Sequence, residues 1–554
     1  MITAHRPHPN SARLAVPLLA VCLLVAALAG CSNDPARRAT PRASSDHTGR
    51  AAALRLASCL RRHGVAVLAP GPQGYDATHP LANNGDRTVL GRAAKACGLP
   101  PLPSSTTSAA NAASQGYPAG TRAVRGTLGG APYRIELPRA WNRVLILWSH
   151  GYQTQTSPQA DDPGALTTSW LLQNGYAIAA SGYRSTGWAI AEALPDQIRL
   201  LDYFAHRYGR PLITIAAGES LGGLISEGLA QRHPKRISGA LSLCGVTGGA
   251  LGFWNQALDA ALVVRTLLTP RSPLELTGIK HPARDRTLLL AALERAQHTP
   301  SGRARLALAA AMLDLPAWHT EPQPTTTAAR TAQLIRWLVE QLPQYATQGR
   351  LDTERRAGDN PSWTAGVDYE IQLDRSVDRR LVRMLYRTAR VSLARDLRSL
   401  GKEPRINADA HAVAYLDANL TPDGALKTPV VTLHTAGDGV VPQANEQALA
   451  SAVHEAGAER FLRQLFVGRA GHCSFTAAEQ VAALQVLLQR LRSGAWPHLS
   501  PAILDTDARR LGTRLNAIDE SDAYGTTHVP PRFVQGDPPK YLRPSLPLVA
   551  KNRD

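Results

Sequence analysis

The 554-residue sequence contains no His-Glu-x-x-His and no Cys-x-x-Cys, so it offers no recognisable framework for zinc chemistry. Nor does it hold a Rossmann or P-loop glycine pattern in the expected strand-to-helix context. No zinc-finger or RNA-binding signature accompanies the basic composition. These absences leave no cofactor, no metal and no nucleic acid to expect. Internal repeats and long blocks of one charge are also missing, and a hydrophobic fraction of 44% with 19% charged residues describes a globular chain with tails rather than a disordered one.

What is present begins with "MITAHRPHPNSARLAVPLLAVCLLVAALAGC": two arginines, an apolar run from Leu14 to Gly30, then Cys31. This is the layout of an export signal over residues 1–30. The run is short for a spanning helix, which needs about 20 residues. Its end, Leu28-Ala29-Gly30-Cys31, resembles the lipobox of bacterial lipoproteins. That resemblance implies that Cys31 is acylated, becomes the new N-terminus and anchors the chain to the extracytoplasmic face of the cell membrane; a membrane anchor or an ordinary secretory signal is the alternative. Losing Arg6 and Arg13 with the signal lowers the formal charge by two, from +18 to +16. For an exported chain, such a charge points to wall polymers or lipid head groups. Cys22 lies in the signal, which leaves Cys59, Cys97, Cys244 and Cys473 beyond Cys31, enough for three possible pairings.

Residues 31–48 read as a polar tether. In the next segment, 49–100, "AAALRLASCLRRHG" places Leu56, Cys59, Leu60 and His63 on one helix face before Gly64. "TVLGRAAKACG" does the same with Leu90, Ala93, Ala94 and Cys97 before Gly98, with Thr88 as candidate N-cap. Two short helices build little core and would profit from a Cys59–Cys97 disulfide. The pattern resembles a small helical module of actinobacterial lipoproteins, whose Cys-x-x-x-His-Gly-Val stretch here falls at Cys59, His63, Gly64 and Val65; no function is carried over. Residues 101–120 have the composition of a linker.

Beyond it, short apolar or alternating runs recur: "RAVRGTL", "YRIELP", "RVLILWS", "YAIAAS", "LITIAA", "GALSLC", "PVVTLH" and "FLRQLFV". The first two, joined by Gly129-Gly130, predict a hairpin. From the third onward helical patterns intervene, at 166–174, 190–208, 221–232, 443–455 and 476–492. This alternation predicts an α/β chain with an eight-stranded, mostly parallel sheet covered on both faces. Thr476 and Glu479 predict a capping box for the last helix. The alternation divides the core into 121–250 and 426–495. Between them, 251–425 carries helical patterns and reads as a cap inserted between strands 6 and 7, or else as a separate domain with an unrelated task. Residues 496–554 form a C-terminal extension.

The chemistry is concentrated in three turns. "LITIAAGESLGGLISEGLAQRHP" is a strand, a Gly218-Glu219-Ser220-Leu221-Gly222 turn and a helix. A serine so placed has the sequence of a nucleophile elbow, where small neighbours admit backbone and substrate. A hydroxyl attacks only when a base takes its proton and an acid orients that base. Downstream, "PVVTLHTAGDGVVP" presents Asp438 after a strand, and "FLRQLFVGRAGHCSF" presents His472. The plainer readings are a turn aspartate and a surface-loop histidine.

With the order Ser, Asp, His and eight candidate strands, residues 121–250 and 425–495 resemble the α/β-hydrolase superfamily. That resemblance implies Ser220 as nucleophile, Asp438 as orienting acid and His472 as general base and acid. It also implies an oxyanion hole from the amides of Leu221 and, in "LWSHGYQ", Tyr152; His150 itself reads as a structural hydrogen-bonding residue. "SGYRSTGWA" resembles the Tyr-Arg-x-x-Gly loop of prolyl-oligopeptidase-like hydrolases at Tyr183, Arg184 and Gly187, although the propeller of that family has no counterpart here.

"GRAGHCSF" also poses a question, because His472 adjoins Cys473. A thiol nucleophile is disfavoured by adjacency and by the better-placed Ser220, and a metal pair lacks further ligands. The loop carrying His472 must fold back across the strand ending at Cys244 to reach Ser220, which predicts a Cys244–Cys473 disulfide. This resembles the bridge of tannase-like and feruloyl-esterase-like hydrolases, except that Glu219, not cysteine, precedes the serine. The expected function is an exported serine hydrolase of small-molecule carboxylic esters; a peptidase of the same fold and a non-catalytic binding lipoprotein are the alternatives. Oligomeric state is not legible.

Overall fold

The computed structural model describes residues 117–154, 157–419, 421–519 and 526–543, together with Ser58, Cys59, Arg62 and Ala96. The expected signal, Cys31, the tether, Cys97 and most of the 49–100 segment and its linker lie outside the described residues. The chain divides into two units, residues 1–82 with 88–101, and the remainder. In the first, Cys59 is disulfide-bonded, and its Sγ lies 3.9 Å from the carbonyl oxygen of Ala96. Everything that follows concerns the second. Among the described residues no helix is long and apolar enough to cross a membrane.

Eight strands carry the core: β1 (Arg122–Leu128), β2 (Ala131–Leu137), β3 (Val144–Ser149), β4 (Ala177–Ser181), β5 (Ile213–Glu219), β6 (Gly239–Leu243), β7 (Val430–Gly437) and β8 (Leu462–Ala470). Their spatial order is β1-β2-β4-β3-β5-β6-β7-β8. β1 and β2 form the antiparallel hairpin, β2 joins β4 antiparallel, and every pairing from β4 to β8 is parallel. This is the α/β-hydrolase fold. The strands β3, β4 and β6 are buried at every position, as parallel strands covered on both faces must be, whereas the edge strand β1 is largely open to solvent.

The helices α1 (Ala165–Gln173), α2 (Ile190–Tyr208) and α3 (Leu221–Arg232) follow β3, β4 and β5 in turn. Nine more occupy the insertion: α4 (Ala250–Leu268), α5 (Pro282–Gln297), α6 (Pro300–Met312), α7 (Thr327–Tyr345), α8 (Gln348–Ala357), α9 (Tyr369–Arg375), α10 (Arg379–Thr388), α11 (Leu393–Lys402) and α12 (Ala410–Ala418). Then come α13 (Ala444–Glu455), α14 (Ala477–Ser493) and α15 (Pro501–Arg510). α2 and α3 pack on one face of the sheet, α1 and α14 on the other. One apolar cluster joins the second pair of helices to alternate residues of the strands, Val144, Ile146 and Trp148 on β3 and Val431 and Leu433 on β7 among them. Alternation therefore turns Thr432 and His434 to the opposite face. α4 is buried from Ala250 to Val264, Asn255, Gln256 and Asp259 included, because the cap helices α5, α6, α7, α11 and α12 pack around it.

The sheet has nine strands among the described residues, one more than the alternation predicts. β9 (Ala517–Asp519) and β10 (Thr526–His528) pair with each other outside the main sheet, with Ile518 also bridging Thr476, but β11 (Phe533–Val534) adds antiparallel to β8. Two residues are too few to show a period in sequence. Their place is physically intelligible, since they cover part of an otherwise unpaired edge. The extension also reaches the cap: Arg543 is buried, pairs through Nη1 with Asp259 of α4 at 2.5 Å and donates through Nη2 to Trp363 O at 2.6 Å.

The capping box at α14 is present, and it does more than end a helix. Thr476 Oγ1 accepts the Glu479 amide at 3.1 Å while Glu479 Oε2 accepts the Thr476 amide at 2.8 Å. The same carboxylate takes both Arg469 terminal nitrogens, at 2.8 and 3.0 Å, and the Arg532 amide at 2.9 Å. Glu479 is fully buried, so its removal would strand a buried guanidinium. Glu479→Ala should lower unfolding stability by about 3–5 kcal/mol, read as a fall in the urea midpoint at unchanged slope. A loss within about 0.5 kcal/mol, the usual range of surface substitutions, would show that water replaces the carboxylate.

Candidate active site

Ser220 occupies the turn between β5 and α3 with φ 55° and ψ −121°. An L-residue is held there only by its surroundings, at a cost of about 1–3 kcal/mol. Those surroundings are backbone. A Cβ on Gly218 or Gly222 would collide with the Ser149 carbonyl oxygen at the end of β3, and one on Gly223 would lie 2.7 Å from Gly245 Cα. The Ser220 amide donates to Leu243 O at 2.9 Å, locking the turn to β6. A serine at a helix start ordinarily caps it with its own hydroxyl. Here the side chain makes no capping bond, and the positive φ leaves the hydroxyl free for other work.

Asp438 follows β7 and is fully buried. Its Oδ1 accepts the amides of Val440 and Val441, each at 2.9 Å, and its Oδ2 accepts His472 Nδ1–H at 2.7 Å. That bond fixes the tautomer, leaving a lone pair on His472 Nε2. The His472 loop is held from two sides. Thr435 Oγ1 donates to Gly471 O at 2.6 Å and the Gly471 amide to Gly437 O at 3.1 Å, tying it to the end of β7. Cys473 is disulfide-bonded to Cys244 after β6, with Cα atoms 5.4 Å apart and a sequence separation of 229 residues. Cys244, His472 and Cys473 converge within 4.8 Å, but the two sulfurs are spent on each other, so neither is a thiolate nucleophile or a metal ligand.

Ser220 and His472 share the wall of a cavity of about 350 Å³ that also receives Leu221 and Tyr152. The structure thus brings every catalytic and oxyanion candidate of the sequence to one place. Leu221 opens α3, where amides have no intrahelical acceptor. Tyr152 is set by its neighbour Gln153, whose carbonyl accepts the Gly187 amide at 2.9 Å and whose side chain bonds Gln159 through both ends. His150 is buried under Tyr183, ring centroids 4.1 Å apart, and donates its Nδ1–H to Gly151 O at 2.7 Å. Burial pushes its ring down to about 4, so it is neutral and structural. Arg184 clamps Asp196 of α2 rather than entering the cavity, with contacts from 2.5 to 3.2 Å. Gly187 abuts Asp352 of α8, which also accepts the Trp188 amide at 2.7 Å.

The remaining walls were not legible in the sequence. The cap contributes Phe253, Trp254, Gln344, Tyr345 and Gly349 to the same cavity, and the core adds Trp188 and Glu219. The rings form a continuous surface, with Trp188 5.7 Å from Phe253 and 5.3 Å from Trp254, and Phe253 5.0 Å from Tyr345. Tyr345 donates its hydroxyl to Val440 O at 2.8 Å, so the cap rests on the turn that carries Asp438. The insertion is therefore part of the site. The dipeptide Phe253-Trp254 straight after β6 was the available signal, but a helix buried on all sides does not reveal which neighbour each ring meets.

No family model matches the chain. It is 28% identical over 445 residues to an o-phthalyl amidase of Xanthobacter agilis, covering 72% of this chain and 95% of the relative. Among solved structures, feruloyl esterase B from Aspergillus oryzae superposes with a TM-score of 0.33 at 11% identity, covering 68% of this chain and 81% of that one. The acylaminoacyl peptidase of Pyrococcus horikoshii gives 0.32 at 8% identity, covering 70% of this chain; the chain spans 43% of the length of that peptidase.

Two outcomes follow from this geometry. Replacing both Cys244 and Cys473 by alanine removes the bridge without leaving a thiol, and should reduce stability by about 2–5 kcal/mol, measured by urea unfolding; an unchanged midpoint would mean the His472 loop is held by its hydrogen bonds alone. Burial, then the charge of Asp161, pushes the Glu219 carboxyl from 4.5 up to about 7, against a pull from His472. A raised acid favours the folded state below its unfolded value, and that advantage is lost as pH climbs from 4.5 to about 7. Glu219→Gln should therefore gain melting temperature relative to the parent at pH 8 and not at pH 4.5, whereas an equal difference at both would contradict the raised carboxyl.

Proposed function

We propose that the chain is a serine hydrolase acting by acyl transfer on carboxylic esters, with an aromatic acyl group as the preferred class. The observation that carries the reading is the Asp438–His472 hydrogen bond of 2.7 Å facing a cavity whose wall also holds Ser220 on its strained turn. Ser220 Oγ attacks the carbonyl carbon while its proton passes to His472 Nε2, the nitrogen left basic by Asp438. The carbonyl oxygen becomes an oxyanion that accepts the amides of Leu221 and Tyr152. Collapse breaks the bond to the leaving group, which departs with the proton from Nε2 and leaves an acyl-enzyme. Water then repeats the sequence, giving its proton to Nε2 and its oxygen to the acyl carbon, and Ser220 is released.

A cavity of about 350 Å³ walled by Trp188, Phe253, Trp254 and Tyr345 suits one planar ring, since aromatic faces gain most from stacked or edge contacts. A second reading, hydrolysis of the corresponding amide, is favoured by the likeness to an o-phthalyl amidase. We also carry forward, as proposals, acylation at Cys31 and placement on the extracytoplasmic face of the membrane; a disulfide between Cys244 and Cys473 agrees with an oxidising compartment.

A fluorophosphonate probe should label the protein and fail on Ser220→Ala. Asp438→Asn should keep the fold and lose about 10⁴-fold in kcat. Benzoyl esters should outrun acetyl esters of the same alcohol in kcat/KM, with benzoyl anilides run beside them to place ester against amide. Absence of labelling in folded protein would sink the hydrolase reading. Faster acetyl turnover would overturn the aromatic preference.

A further inference from the structure

Behind Asp438 lies a second imidazole that the scheme above does not use. His434 of β7 is fully buried, as are Asp438 and Glu446. Its Nε2 lies 2.8 Å from Val441 O, an obligate acceptor, and 3.7 Å from Asp438 Oδ2, the oxygen that also receives His472. Its Nδ1 lies 3.1 Å from Glu446 Oε1. Glu446 in turn accepts Thr432 Oγ1–H and Gln464 Nε2–H on Oε2, both at 2.6 Å, the environment of an ionised carboxylate. Both ring nitrogens thus face acceptors, and only the doubly protonated ring satisfies both.

We propose that His434, held as an imidazolium between the carboxylates of Glu446 and Asp438, is a positioning residue that keeps Asp438 ionised and keeps His472 a free base at neutral pH. This rests on the roles given to Asp438 and His472 above. The electrostatics have a definite sign. Two buried carboxylates on either side of a neutral ring would disfavour each other's charge, and a cation between them removes that penalty. The same cation shares an oxygen with His472, so it disfavours a second positive charge on that ring. Burial opposes the charge, but the hydrogen bond that His434 donates to Glu446 and the charges of Glu446 and Asp438 together raise the ring above its ordinary value.

The other titratable groups around the ring do not supply the cation. Glu227 of α3 is buried near Glu446, and burial drives its carboxyl well above the ordinary range; a carboxyl carries no positive charge in either form. Tyr345 of α7, near Asp438, has its hydroxyl pushed well above the ordinary tyrosine value by burial. Thr432 and Gln464 carry no charge. Among the described groups touching Asp438, His434 is the buried cation on the side away from the cavity.

Ring-labelled histidine NMR of the full chain tests the proposal without needing turnover. In the parent at pH 7 both His434 nitrogens should show the protonated signature, and a neutral tautomer would overturn the proposal whether or not any variant folds. In His434→Gln, the titration of His472 should move to higher pH by on the order of one pH unit, and the acid limb of kcat/KM for a neutral benzoyl ester should move with it. If the folded variant loses melting temperature while His472 titrates as in the parent, His434 is only a packing residue. Failure of fluorophosphonate to label the parent would instead refute the hydrolase reading, and the NMR titrations would still decide the electrostatic one.

Discussion

The Asp438 carboxylate is the constraint around which the site is assembled. A carboxylate without solvent is unstable unless donors replace the water it has lost, and here each donor comes from a different part of the chain. The turn after β7 supplies two amides, the β8 loop supplies His472, and β7 itself brings His434 close. Each of those donors has to be fixed in turn. The β8 loop is fixed by Thr435, Gly437 and the bridge to Cys244; His434 is fixed by Glu446 of α13; the turn itself is covered by Tyr345 of α7. A single buried charge thereby couples sheet, cap and loop.

The cap and the C-terminal extension make sense as consequences of that coupling. α4 follows β6 carrying Phe253 and Trp254 into the cavity, while about one and a half turns further along the same helix Asp259 pairs with Arg543. The guanidinium of Arg543 also lies 5.4 Å from the Trp363 ring. Tyr541 lies against Gly248 and Gly252, whose missing side chains make room for it. The extension thus crosses from the β8 edge to the foot of the cap and buttresses the helix that supplies two aromatic walls. Removal of the extension would be felt at the cavity through α4, although none of its described residues lines it.

Much of the core could be read from the sequence because its signals are local. The mostly apolar β3 and β6, the glycine-flanked Ser220, and strand-ending Asp438 and His472 each announce themselves within about ten residues, the range over which period and turn chemistry act. The bridge from Cys244 to Cys473 was legible only through topology, since it required knowing which strand the β8 loop must cross. What stayed hidden is of a different kind. Trp188, Trp254 and Tyr345 come from separate elements whose meeting is set by the packing of the insertion, and β11 is two residues long. His434 and Glu446 are hidden for the same reason: nothing local in "PVVTLHTAGDGVVP" marks the histidine, and only the sheet's alternation shows that it faces α13.

Four of the seven described non-glycine residues with positive φ lie where this coupling is densest, the others being Arg143, Asp314 and Arg390. Ser220, Cys244, Cys473 and Tyr183 all have positive φ, between 44° and 55°, a conformation that costs each of them stability. Ser220, Cys244 and Cys473 sit at the cavity or in the bridge beside it, and Tyr183 covers His150 directly behind it. Such a cluster persists only if the surroundings over-determine it, and the means are visible: backbone from β3 pressed against the serine turn, a covalent link between the ends of β6 and β8, and a stacked ring pair. The strain would have no purpose in a molecule that merely folded. It aims the Ser220 hydroxyl away from its own helix, and it lets one loop present His472 to the cavity while its next residue is bonded to the neighbouring strand. Rigidity at this point is a condition for the proposed chemistry, because a base free to wander from Asp438 Oδ2 would lose both its tautomer and its aim.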